Sequence, residues 1–139
     1  MKNSLKILIS LILLHLILLQ TILKSEEIKF EADVIDTSKT DTLTASGNIK
    51  IKNDLGQIIK GDKLRINKLD KVHTLTGNVS FDDNLNNEIL SEKLIINENK
   101  QEYIFEKNVI LKDKINFLIL KTDRIIFERK NNVIISNDE

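Results

Sequence analysis

Residues 61–81 read GDKLRINKLDKVHTLTGNVSF, and their alternation decides the fold class. Asp62, Leu64 and Ile66 fall on one side of an extended chain, with Lys63, Arg65 and Asn67 on the other. Lys68 to Lys71 make a polar turn. His73, Leu75, Gly77, Val79 and Phe81 then share a face, opposite Thr74, Thr76, Asn78 and Ser80. A period of two over both segments, joined by a turn, is the signature of half-buried antiparallel strands. Helical spacing fits neither segment.

Working outward, the unit recurs. A small residue, an acid and an apolar residue two places on appear as Ala32-Asp33-Val34-Ile35, Gly61-Asp62-Lys63-Leu64, Ser91-Glu92-Lys93-Leu94 and Thr122-Asp123-Arg124-Ile125. The acids lie 29, 30 and 31 positions apart. A second landmark, Gly47-Asn48-Ile49, Gly77-Asn78-Val79 and Lys107-Asn108-Val109, keeps a spacing of 30. Two landmarks on one period mean stacked supersecondary units that bury apolar faces only against their neighbours. Each unit is expected to be a short strand beginning at the acid, a turn, and a longer strand bent near its glycine. Turns are expected at Thr37–Asp41, Asn53–Gly56, Lys68–Lys71, Asp82–Asn87, Asn97–Lys100 and Asp113–Asn116, all rich in Asp, Asn, Lys or Gly. Eight or so strands in sequence predict an all-β fold around one apolar interior. With only five Phe and one Tyr in the chain, that interior is lined by Ile, Leu and Val, and incomplete filling would leave an apolar groove.

The 139 residues support one domain. The absence of cysteine removes disulfides, thiolate metal sites and thiol nucleophiles. The absence of proline suits a chain of strands. Residues 1–25 read differently from the rest: Lys2 and Lys6 precede an apolar run from Ile7 to Leu19, followed by Gln20, Thr21, Ile22 and Leu23. A positive start and a short apolar stretch describe a secretory signal peptide. Lys24 stands where a small residue is expected at a cleavage site. As a helix, Ile7 to Leu23 would span roughly 26 Å, close to a ~30 Å hydrocarbon core. A retained membrane anchor is therefore the alternative, with residues 26–139 as the folded domain in either case. Without residues 1–25 the chain carries 18 basic and 21 acidic side chains, a net −3. A mildly acidic domain of mixed sign is not a nucleic-acid binder by its field.

The inventory for catalysis is thin. His73 is the one histidine after residue 25 and sits on the apolar face of its strand, where a satisfied core or rim histidine is the expected role. No second histidine there completes a metal site. Ser38, Ser46, Ser80 and Ser91 stand in no nucleophile context. The repeated acids Asp33, Asp62, Glu92 and Asp123 invite comparison with the paired carboxylates of glycoside hydrolysis. Their recurrence once per unit instead predicts a ladder, each acid accepting backbone or turn hydrogen bonds where its strand begins. Lys63, Lys93 and Arg124 follow three of them and suit cross-strand pairing. No catalytic residue, metal or cofactor is expected.

The pattern of small residue, acid and aliphatic, a turn, then Leu-Thr-Ala-Ser-Gly-Asn-Ile (43–49) and Leu-Thr-Gly-Asn-Val (75–79) resembles the OstA-like family. This is the domain of the periplasmic lipopolysaccharide-transport protein LptA and of the N-terminal part of LptD, with the anchored LptC sharing the fold. The resemblance covers residues 28 to about 135. Lys107 in place of the third glycine and Ser91-Glu92 in place of Ala-Asp depart from the pattern.

The resemblance implies a folded-over antiparallel sheet, a β-jellyroll or β-taco built from the two-strand repeats. It implies a periplasmic, non-enzymatic bridge that moves lipopolysaccharide from the inner to the outer membrane. The acyl chains of lipid A would lie in an apolar groove lined by Ile35, Leu43, Ile49, Ile51, Leu64, Ile66, Leu75, Val79, Phe81, Leu94, Ile96, Phe105, Val109 and Leu111. Lys107, inward by parity, would bring its ammonium to the groove mouth or to a phosphate. The implied partners are lipopolysaccharide and other OstA-like domains, LptC-like and LptD-like, joined by edge-strand pairing, or further copies head to tail. An anchored LptC-like component, a self-assembling structural β-repeat protein of the cell envelope and an enzyme acting on envelope glycans are the alternatives.

Overall fold

The computed structural model describes residues 29–53, 55–131 and 133–136; the signal-peptide or anchor segment lies outside them. Nine strands follow in chain order: β1 (Lys29–Glu31), β2 (Val34–Asp36), β3 (Thr42–Lys52), β4 (Ile58–Asn67), β5 (Val72–Asp82), β6 (Asn87–Asn97), β7 (Glu102–Asp113), β8 (Leu118–Glu128) and β9 (Val133–Ser136). All belong to one antiparallel meander, β1-β3-β4-β5-β6-β7-β8-β9, with β2 also on β3. Short turns join consecutive strands, and from β2 onward each strand pairs with its sequence neighbour.

The strand pairs from β3/β4 to β7/β8 each carry a register shift near mid-strand, the first between Ser46 and Ile49 and the last between Glu106 and Val109. In β3, β5 and β7 two successive residues adopt left-handed backbone: Gly47 and Asn48, Gly77 and Asn78, Lys107 and Asn108. Glycine enters that region freely and asparagine tolerates it. Aligned bulges crease the sheet along one line. The line divides it into a first arm (residues 34–36, 42–46, 63–67, 72–76, 93–97, 102–106, 124–128 and 133–136) and a second arm (29–31, 49–52, 58–61, 79–82, 87–91, 109–113 and 118–122).

The two arms close on each other. Phe81 of the second arm meets Phe127 of the first with ring centroids 5.7 Å apart. They lie three strands apart, a distance of roughly 14 Å in a flat sheet. Phe81 also reaches Tyr103 at 5.7 Å and Phe105 at 5.6 Å. The core is therefore a single slab between the arms, with Leu75, Ile89, Leu94, Phe105 and Ile125 wholly excluded from solvent. This is the all-β fold expected from the alternation, folded over as the resemblance implied.

Three expectations need correction. The repeated acids do not begin strands: Asp62, Glu92 and Asp123 lie in the interiors of β4, β6 and β8, and Asp33 lies in the break between β1 and β2. The paired strands are also of nearly equal length, 10 to 12 residues from β3 to β8. Straight alternation fails at the crease. Gly61 and Leu64 are both buried, as are Ser91 and Leu94, so the acid and the residue after it both turn outward. Asp62 thus leaves the face it was expected to share with Leu64.

Candidate functional site: the apolar interior between the arms

Of the side chains expected to line a groove, Ile49, Ile51, Leu64, Leu75, Val79, Phe81, Leu94, Ile96, Phe105, Val109 and Leu111 lie in one continuous core. Leu43 and Ile66 are partly buried against it. Ile35 stands at the margin. It pairs with Ala45 on β3, so it faces the interior side, yet it is 50% exposed. Ile59 and Ile89 are equally buried and escaped the sequence reading because strands were begun at the acids; both precede an acid, at Asp62 and Glu92. Tyr103, Ile125 and Phe127 complete the slab. Their inward parity was readable.

From β3 to β8 the slab runs across six strands, about 24 Å at the usual strand spacing. Phe81, Tyr103, Phe105 and Phe127 occupy the end toward β8. Toward β1 the fully buried side chains are aliphatic, with Ile51, Ile59 and Leu64, and Phe30 of β1 packs partly buried against them. Among the described residues the buried polar side chains are Gln57, His73, Asp83 and Ser91. Gln57 accepts from Asn53 Nδ2 at 2.7 Å within a turn, and Ser91 Oγ donates to the Lys93 carbonyl at 3.0 Å. His73 lies at the free end of the first arm, Nε2 2.6 Å from Glu98 Oε1. What the interior presents to a guest is apolar surface with one histidine at its rim.

The crease is held from outside. Asn48 Nδ2 donates to Asp33 Oδ2 at 2.9 Å, Asn78 Nδ2 to Asp62 Oδ2 at 2.8 Å, and Asn108 Nδ2 to Glu92 Oε1. Asp33, Asp62 and Glu92, three of the four repeated acids, therefore form a ladder, but they accept from asparagine side chains and not from turn backbone. The bulge glycines fit the acids closely. A Cβ on Gly47 would lie 2.4 Å from Asp33 Oδ2, and one on Gly77 2.5 Å from Asp62 Oδ2. In the third unit a side chain does occupy this place: Lys107, at φ +67°, faces a longer acid, Glu92. Lys107 is exposed at the bulge and does not point inward, which removes it from the groove mouth. On the same outer face Lys93 bonds Glu106 at 2.8 Å and Arg124 approaches the same carboxylate at 3.9 Å, so these two of the three cations that follow an acid pair across strands, while Lys112 bonds Glu88 at 3.1 Å.

Turns close the free ends of the arms. Asp83 Oδ1 accepts backbone N–H bonds from Leu85, Asn86 and Asn87 at 2.8, 2.8 and 2.9 Å. Burial pushes the Asp83 carboxyl up, but these N–H groups and the Asn87 amide outweigh it and hold the group below its ordinary value. Asp113 repeats the arrangement through Asn116 and Ile115, also with a lowered pKa. Asn53 does so with an amide.

Among the described residues no three His, Asp or Glu side chains converge as a metal set. The sequence matches no family model and no curated protein. The structure is similar to the crystal structure of LptH, the LptA-homologous periplasmic component of the conserved lipopolysaccharide transport device from Pseudomonas aeruginosa. That match has a TM-score of 0.68 and 9% identity, and it covers 82% of this chain and 84% of the other. A likeness at such low identity speaks to architecture: the chain has the OstA-like, LptA-type β-jellyroll fold.

Proposed function

We propose that this chain is a periplasmic bridge module that carries lipopolysaccharide from the inner toward the outer membrane, holding acyl chains between its two arms and catalysing nothing. The observation that carries the reading is the apolar slab itself. It is continuous across the strands, and it is enclosed by two arms whose backbones join only along the crease. Opening the arms at their free ends exposes a trough without breaking a ladder hydrogen bond. Each acyl methylene buried contributes about 0.8 kcal/mol. A dozen carbons in partial contact thus gain several kcal/mol, enough to offset parted side-chain contacts at the β1 end. The fold shared with a periplasmic transport component supports the same reading.

Among the described residues the sheet ends in unclosed edges, β1 and β2 on one side and β9 on the other. Edge strands accept further strands, which suits LptC-like and LptD-like domains or another copy as neighbours. An export segment at residues 1–25, as the sequence suggests, would suit a periplasmic domain, free or anchored. The test is titration of delipidated protein with a fluorescent lipopolysaccharide analogue, with folding checked by circular dichroism. Saturable binding that is lost in folded Ile49→Asp or Leu64→Asp and kept in Lys112→Glu is expected. Absence of saturable binding, or binding indifferent to both interior changes, contradicts the reading.

A further inference from the structure

The three turns at the free end of the second arm carry an apolar residue at the same place, Leu55, Leu85 and Ile115, thirty residues apart. They are 64%, 73% and 60% exposed. Each sits two residues after the Asn or Asp that organises its turn, and each donates its backbone N–H to that side chain, at 3.1, 2.8 and 2.9 Å. The side chains are therefore held outward by the turn and are not stray core residues. Phe117 adds a ring that is 91% exposed, on a left-handed backbone (φ +54°) that residues with a β-carbon rarely adopt. Neighbouring Leu118 and Ile119 are also exposed. At the matching place in the turns of the first arm stand Leu69, Asn99 and Lys130, two of them polar. One rim of the fold is thus apolar in every repeat and the other is not. Apolar exposure organised by a repeat marks a contact surface.

Where the chain enters the fold says what that surface is. Lys29, the first residue of β1, pairs with Lys52 at the end of β3, beside the turn that bears Leu55. The apolar run Ile7–Leu23 therefore leads into the domain at this same rim. Only residues 24–28 intervene, a reach of at most about 18 Å. Lys29 and Lys52 are exposed at that corner, where lipid phosphates would meet them. We propose that the rim formed by Leu55, Leu85, Ile115 and Phe117 seats on the surface of a lipid bilayer. Turn tips repeated along one end of an arm suit an extended surface, and seating them would turn the free end of the second arm toward the lipid. This inference does not require the domain to carry lipopolysaccharide.

The chain contains no tryptophan, so Phe117→Trp and Asn99→Trp each install a single tryptophan, excited selectively over Tyr103, on the apolar and the polar rim. The full chain carrying either change is reconstituted with vesicles of phosphatidylethanolamine and phosphatidylglycerol, with and without brominated acyl chains. The expected result is a blue-shifted emission at position 117 that brominated lipid quenches, against a water-like, weakly quenched emission at position 99. A water-like, unquenched emission at 117 in vesicle-bound protein overturns the proposal. So does failure of the chain to float with the vesicles. A blue shift at 117 that arises without vesicles and grows with protein concentration assigns the rim to a second copy and overturns it equally. A negative result leaves lipopolysaccharide binding in solution untouched, so the two readings fail separately.

Discussion

Asn78 reaches across the crease and donates its side-chain N–H to the Asp62 carboxylate at 2.8 Å. The bond joins the bulge of one strand to the mid-strand acid of the strand before it. Asn48 with Asp33, and Asn108 with Glu92, repeat it along the sheet. A bend that must recur at each level, or the two arms would not face each other, is tied at each level by the same pair.

Asp62→Ala and Asn78→Ala are each expected to destabilise the fold by about 0.5–1.5 kcal/mol, the net worth of one hydrogen bond. The double variant should cost less than the sum of the two. Urea unfolding of the four proteins measures this. Strict additivity would mean that the pair does not act as a pair.

The third unit suggests a compensation. Lys107 stands where the other units have glycine, and Glu92 stands where they have aspartate. Gly77→Lys alone should cost at least the roughly 1–2 kcal/mol of a left-handed backbone. It should cost more because a Cβ there meets Asp62 Oδ2 at 2.5 Å. Asp62→Glu, which moves the carboxylate one methylene outward, should recover part of the loss in the double variant. No recovery would show that Glu92 and Lys107 coincide by accident.

Phe81 touches three other rings across the slab. Phe81→Ala should therefore destabilise by about 3–5 kcal/mol and loosen the β8 end of the core. Thermal or urea unfolding reports the first effect, and hydrogen exchange along β7 and β8 reports the second.

The Asp83 turn sets an acid limit. Its folded pKa lies below the ordinary carboxylate value, so the folded state binds fewer protons than the unfolded one in that range. The contribution is present above the unfolded value of about 3.9 and is lost as pH falls through the folded one. Asp83→Asn keeps a turn of the kind Asn53 already makes and removes this titration. The urea midpoint of the wild type should drop more steeply below pH ~4 than that of the variant. Parallel curves would contradict the assignment.

Most of the fold was legible because period-two alternation and turn residues report directly on strands. The expected turns at Asn53–Gly56 and Lys68–Lys71 fall between observed strands, and the one at Asp113–Asn116 overlaps β7 at Asp113 alone. The crease was harder to place. Glycine at 47 and 77 pointed to a bend, but counting alternation straight through Asp62 and Lys107 put both on the inner face. A bulge consumes a residue, and a strand opposite a bulge slips by one, so parity must be restarted on each side of it. The pairing of Asp62 with Asn78 needed the register between strands, which a single strand's pattern does not contain. The common spacing of the acids and asparagines was its one trace. Ile59 and Ile89 were missed for the same reason, since both belong to strand halves that precede the acid.

The central claim is that acyl chains lie between the arms. It is tested most directly by isotope-filtered NMR of methyl-labelled protein with unlabelled lipopolysaccharide, which needs no substitution in the core. Intermolecular NOEs from acyl methylenes to the methyls of Leu75, Leu94 and Val109, with none to the outward-facing Leu90 and Ile95, are expected. NOEs confined to outer-face methyls, or none at saturating lipid, would contradict the account.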